Sequence, residues 1–414
     1  MYRQDRNAKT PCCSLSGDKS DTDAYMSGPS VSDNTPGQWS LAILYFLATM
    51  PRALLISLLP VLALRLFGDA QKVSVFYMLV SIAGICASIS VPLLSRRIGA
   101  SGVFALGAGT MIISMLLFSQ PGTAAFTGGM LAFVFGYAAM DISLTLFLLM
   151  LIPRAGMSYF EPKRVVFTAS AYIIGPWLGI WLHTEISAQA PMWTGLACAL
   201  AAMSFGVLRG FSALSASRSA RPGNPLTHLR RFWSQPRLRL AWALTFGRAA
   251  WWTMFFIYTP IYAVSTGLGE VTGGAVVSTG VAIVLTVPLF GRLGRRIGLR
   301  RMMRISCVMA ALCMLLTAAL APWPWLGAAA LLLCAFAVTP LDAAGNIPFL
   351  RTVRSRERNE MTGVFATYRD AAQLGPPALF AGLLQVFALP SVYVASAAGL
   401  LIMASFTRYL PRRL

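Results

Sequence analysis

Charge is what this chain has least of. Only 12% of its 414 residues are Asp, Glu, Lys or Arg, while 57% are hydrophobic; soluble domains carry roughly a quarter charged. So little charge cannot cover a water-facing surface, which excludes a soluble globular protein and points to lipid as the solvent. Acids are scarcer still, 14 against 34 basic residues, for a formal net charge of +20. Such an excess also marks nucleic-acid binders. Basic residues collect equally on the cytoplasmic face of membrane proteins, so no nucleic-acid partner is expected. Histidine occurs twice, and His183 reads as an interfacial ring rather than a proton relay. The seven cysteines form neither a disulfide framework nor a zinc spacing. Cys86, Cys198, Cys307, Cys313 and Cys334 fall in apolar runs, where the default is a small buried hydrophobe. There is no Ser/His/Asp set, metal cluster or P-loop. No catalytic residue, metal or cofactor is therefore expected, and the chain is not read as an enzyme. With no ATP-binding segment, active transport would have to draw on a gradient, with protons the suspected ion.

What the chain has in abundance is long apolar runs. A tail over residues 1–38, rich in Ser, Asp, Gly and Pro, reads as disordered. Twelve runs then come near the ~20 residues that a bilayer crossing needs: 39–67, 73–94, 102–119, 123–152, 165–183, 192–208, 240–264, 273–293, 302–320, 323–350, 361–387 and 392–409. Backbone groups cannot stay unpaired in hydrocarbon, so each run is expected to be a helix. Nearly all basic residues gather at one set of run ends; the opposite loops hold Lys72, with Arg65 near the end of the first run. By the positive-inside rule both termini are expected in the cytoplasm. The organisation expected is a tail over 1–38, a first bundle over 39–210, a cytoplasmic linker over 211–239 and a second bundle over 240–414.

The chain also reads as built twice. Residues 287–301, VPLFGRLGRRIGLRR, end an apolar run in a basic loop, and residues 91–99, VPLLSRRIG, are a shorter copy. Arg97 and Arg296, Pro60 and Pro260, Asp141 and Asp342, and Gly175-Pro176 and Gly375-Pro376 all recur in the same order, about 200 residues apart.

Two six-run copies, a basic central loop and a basic turn after the second and eighth runs are similar to the major facilitator superfamily, over about residues 39–414. Its loop signature runs Gly-x-x-x-Asp-Arg-x-Gly-x-Arg-Arg. Gly291, Arg296, Gly298, Arg300 and Arg301 match it, with Arg295 at the acidic position. In the first half Arg97 and Gly99 match, Pro92 replaces the first glycine and Arg96 the acid. In the family that acid helps latch the cytoplasmic gate, so both halves lack the latch's acid here. Gly175-Pro176-x-x-Gly179 in the fifth run resembles the core of a drug/proton antiporter signature, without its upstream glycines. Read on packing alone, the same residues are a proline kink and a close helix contact. The resemblance implies an all-α polytopic membrane protein with twelve transmembrane helices in two pseudo-symmetric six-helix bundles. It further implies a monomer in the inner membrane that exports a small organic molecule by proton-coupled alternating access. A sensor or assembly factor on this scaffold, or a sugar or metabolite transporter, is the alternative.

Charges inside the runs are the candidate site, because a charged side chain at mid-bilayer needs a partner or water. They are Arg52, Asp141, Arg248, Asp342, Arg369 and Asp370. Counted from the basic face, Arg52 and Asp141 come at ~16–18 Å and Arg248 and Asp342 at ~12 Å. Each half is therefore expected to hold one Arg–Asp pair in a polar belt around a central cavity. Asn346, four residues after Asp342, is expected on the same helix face. Arg369 and Asp370 are neighbours pointing about 100° apart and cannot share one partner. Tyr45, Trp251 and Trp252 are the aromatic cavity candidates, suited to a bulky apolar or aromatic cargo. The alternative is a set of ion pairs that fix helix register and touch no cargo.

Overall fold

Proline opens many of the helices: Pro191, Pro236, Pro288, Pro324, Pro348 and Pro390 each sit in a first turn, where the missing N–H leaves no bond unmade. The computed structural model describes residues 37–152, 157–213, 230–353, 361 and 364–410. The expected tail up to residue 36, and residues 214–229 of the expected linker, lie outside the described residues. Among the described residues all regular structure is helical, as a backbone without water requires. The described residues form one unit.

The first half runs α1 (Gln38–Leu55), α2 (Leu58–Phe67), α3 (Ala70–Phe118), α4 (Thr123–Leu151), α5 (Met157–Trp181) and α6 (Ala190–Leu208). The second runs α7 (Pro236–Ser265), α8 (Glu270–Ile283), α9 (Val287–Ile297), α10 (Leu299–Ala319), α11 (Pro324–Ala344), α12 (Ile347–Thr352), α13 (Tyr368–Leu383) and α14 (Pro390–Phe406). Nine stretches among the described residues are long and apolar enough to cross a membrane. One is the 49-residue α3, which contains the run expected at 73–94 and all but the last residue of the run expected at 102–119. Its single break is Gly99, with φ 76° and ψ 170°. Gly298, its repeat mate, separates α9 from α10 with φ 84° and ψ 141°. Both backbones lie in a region that side chains bearing a Cβ avoid, so the turn in each copy is about one residue wide. Two helices fall outside the nine: α7, which carries Arg237, Arg239 and Arg248, and the 16-residue α13, which carries Arg369 and Asp370.

Within the first half α3 packs on α4 and α6, and α1 on α5 and α6. Within the second α10 packs on α11 and α14, and α8 on α7 and α11. The halves meet where α5 packs on α8, α13 on α3 and α2 on α7.

Candidate functional site

On α7 the pattern Arg248, Trp252, Phe256 steps by four, so the three side chains share one helix face. The first two converge on Asp342 near the end of α11. Arg248 Nη1 donates to Asp342 Oδ1 at 2.7 Å. Trp252 Nε1 sits 3.3 Å from Oδ1 and 3.2 Å from Oδ2. The pair is largely withdrawn from solvent, with side chains 20% and 11% exposed. Arg248 Nε is buried without a partner. Trp252 stacks on Phe256 at 5.5 Å, and Phe256 meets Tyr172 of α5 at 6.1 Å.

The first half is arranged differently. The Arg52 guanidinium lies over the Tyr137 ring, 3.8 Å from its centroid. Among the described residues no ion pair joins it to Asp141. Tyr137 precedes Asp141 by one turn of α4 and meets the guanidinium with its ring face, a contact that satisfies a cation without desolvating a second charge. The expected matching pair is thus present in one half only. Asp141 is exposed.

Arg52 and Tyr137 border a cavity of about 130 Å³ walled by α1, α2, α3, α4, α7 and α13. Its polar lining is Arg52, Tyr77, Ser81, Tyr137, Thr253 and Gln373, and Arg52 is the one charged residue in that lining. The Gln373 amide crosses between the halves: Nε2 donates to the Tyr137 hydroxyl at 3.0 Å, and Oε1 lies 3.1 Å from it. Ser81 Oγ donates to the Gln373 carbonyl at 2.9 Å. Reading the chain alone missed Tyr137 and Gln373. Their signal was there: each is a polar residue one turn from a charge already singled out, Asp141 and Arg369.

The other expected residues divide. Trp252 faces the site, whereas Trp251 is buried, stacked on Phe255 at 5.0 Å and turned toward α13 and α14. Adjacent residues on a helix cannot share a face. Tyr45 is buried, with Arg164 above its ring at 5.6 Å. Asn346 does not share a face with Asp342. The helix ends at Ala344, Gly345 turns with φ 47°, and Asn346 stands exposed at the start of α12; the four-residue spacing has no meaning across that break. Asp370 accepts a hydrogen bond from Ser88 Oγ at 3.2 Å, while Arg369 Nε lies 3.4 Å from the Tyr368 hydroxyl, so the two diverge. Arg96, Arg97, Arg295 and Arg296 are exposed and form no ion pair among the described residues; nothing lies within 4 Å of a Cβ placed on Gly291.

The Gly175-Pro176-x-x-Gly179 stretch is a three-helix contact. A Cβ on Gly175 would lie 2.5 Å from the Ala53 backbone, and one on Gly179 would lie 1.8 Å from the Leu54 carbonyl oxygen. From the other side, a Cβ on Gly274 of α8 would come 2.8 Å from the Pro176 carbonyl. Trp177 N–H donates to Ser278 Oγ at 2.9 Å. At the end away from the basic loops the halves are tied by Ser74 and Tyr258, whose hydroxyls are 2.7 Å apart, and by an ion pair of Arg65 with Glu270.

Solved structures share this architecture. A nucleoside transporter, NupG, superposes with a TM-score of 0.67 at 15% identity, over 90% of this chain and 99% of that one. A peptide transporter, POT, in complex with sulfate gives 0.72 at 11%, over 90% and 94%. A POT family transporter in complex with 5-aminolevulinic acid gives 0.72 at 12%, over 89% and 95%. No curated protein matches the sequence. The family description that matches is Major Facilitator Superfamily, over residues 41–376, and with most of its length inside that match the chain belongs to the major facilitator superfamily.

Proposed function

We propose that this chain is a secondary transporter that exports a small organic molecule by proton-coupled alternating access. Membership of the family and likeness to transporter folds make it a multi-pass membrane transport protein rather than an enzyme. The nine long stretches, α3 counted twice at Gly99, together with α7 and α13, make twelve crossings. They form a bundle over 39–210 and another over 240–414, joined by a linker over 211–239. The basic loops lie in the cytoplasm of an inner-membrane protein with both termini inside, working as a monomer.

One observation carries the mechanism: the cavity wall draws on both halves, and its charge, Arg52, rests on a tyrosine that is tied to Gln373 of the other half. A cargo with a carboxylate or another strong acceptor competes for Arg52 and for the amide together. Binding therefore acts on the contact between the halves. Asp141, exposed one turn of α4 beyond Tyr137, is the carboxylate that carries the proton. Nucleoside and peptide carriers share the fold, yet one scaffold hosts many cargoes.

The test is transport in proteoliposomes under an imposed pH gradient. Arg52→Ala is expected to abolish cargo movement; Asp141→Asn is expected to keep cargo exchange but remove its dependence on the gradient. Gradient-driven transport that survives both Asp141→Asn and Asp342→Asn would rule out the proton coupling. The alternative of a sensor or assembly factor draws on the exposed arginines at both loop signatures, which have no acidic partner among the described residues. Cysteine labelling that cargo leaves unchanged on both faces would favour it.

A further inference from the structure

Two cavities away from the central one share a border. The first, about 350 Å³, runs between α7, α13 and α14. Gly247, Gly375 and Gly399, one from each helix, border it, while Leu379 and Ile402, 59% and 56% exposed, stand at its open side. Its lining holds one hydroxyl, Ser396, which donates to the Val392 carbonyl at 2.8 Å. The second cavity, about 500 Å³, is bordered by Arg237, Arg239, Leu240 and Tyr409. Ala243 and Phe406 line both, so the two adjoin.

The dimensions fit one leaflet. From Ala243 to Met254 the helix rises about 17 Å, close to half of a ~30 Å hydrocarbon core. Arg237 and Arg239 stand about 6–9 Å beyond Ala243, at headgroup level. Both are exposed and have no acidic partner among the described residues. Tyr409, which borders the same cavity, accepts a hydrogen bond from Arg408 at 2.6 Å. The N-terminus of α7 opens here too, with no side-chain cap on its N–H groups, which adds partial positive charge.

We propose that this trough is a binding site for an anionic phospholipid, with an acyl chain between α7, α13 and α14 and the phosphate held by Arg237 and Arg239. An apolar trough without a free hydroxyl suits a hydrocarbon tail. Guanidinium groups at its mouth select an anionic head, since arginine pairs phosphate through a two-pronged fork. The site is separate from the central cavity and does not depend on what the protein carries.

The test uses the purified full chain in detergent, titrated with phosphatidylglycerol, with phosphatidylcholine of identical chains and with inorganic phosphate. The readouts are thermal unfolding and tryptophan quenching by brominated acyl chains. Phosphatidylglycerol is expected to bind at least fivefold tighter than phosphatidylcholine, and phosphate alone to give no shift. Arg237→Gln with Arg239→Gln is expected to erase that preference and leave phosphatidylcholine binding as it was. Gly399→Leu, at a position where a Cβ meets nothing within 4 Å, is expected to weaken both lipids. Arg230→Gln with Arg304→Gln removes the same charge elsewhere and is expected to change nothing. The proposal is overturned if the 237/239 variant keeps the preference, if the 230/304 variant loses it equally, if Gly399→Leu binds normally, or if phosphate reproduces the shift.

Discussion

Asp342 takes hydrogen bonds from two side chains one turn apart on α7, Arg248 and Trp252. Taking the cation away leaves a carboxylate in a place water barely reaches, and breaking such a pair from one side costs about 3–5 kcal/mol. Arg248→Met is therefore expected to lower the midpoint of thermal unfolding sharply. Arg248→Met combined with Asp342→Leu, which removes both charges, is expected to recover most of the loss. A double variant no more stable than the single one would mean that the pair supports something other than its own charges. Arg52 is a different case. Its partner is a ring face, and its neighbouring carboxylate, Asp141, is exposed, so removing it strands no buried charge. It is expected to matter to transport far more than to folding.

At the scale of the element, α5 is the helix with least room. Gly179 leaves no space for even a methyl group, because the Leu54 carbonyl oxygen occupies the place of its Cβ. Gly179→Ala must push α5 off α1, and overpacking of this kind costs about 1–3 kcal/mol. Gly382→Ala on α13, where a Cβ meets nothing within 4 Å, serves as the control and is expected to be neutral in the same unfolding measurement. The same packing gives the Gly175-Pro176-x-x-Gly179 stretch a mechanical meaning. It holds α5 against α1 in its own half while Pro176 and Trp177 lie on α8 of the other half. A shift of one half against the other has to pass through this contact.

For the whole molecule the informative asymmetry is between its two ends. Away from the basic loops the halves are tied by Ser74 to Tyr258 and by Arg65 to Glu270, whose Oε2 is buried without a hydrogen-bond partner. At the basic end the loop arginines are exposed. With alternating access as proposed, opening the cavity to the tied side requires the Arg65–Glu270 pair to part. Glu270→Gln is expected to speed labelling of a single cysteine placed at Ile56, on the cavity wall, by an impermeant reagent added from that side. No change in rate would mean that the ion pair does not hold that end shut.

What the chain alone determined is what depends on local solvation. Runs of about twenty apolar residues must become helices wherever water is absent. The doubling announced by Arg97 and Arg296 reappears in the backbone, since Gly99 and Gly298 both turn with positive φ. What only the tertiary structure decided is who meets whom. Arg52 rests on Tyr137 rather than pairing with Asp141, Gln373 bridges the halves, Trp252 rather than Trp251 reaches Asp342, and Asn346 falls beyond a helix end. In a soluble helix the polar face reveals which way the helix is turned. Here nearly every face is apolar, so rotation about each helix axis leaves almost no trace in the sequence, and partners are settled only when the helices pack.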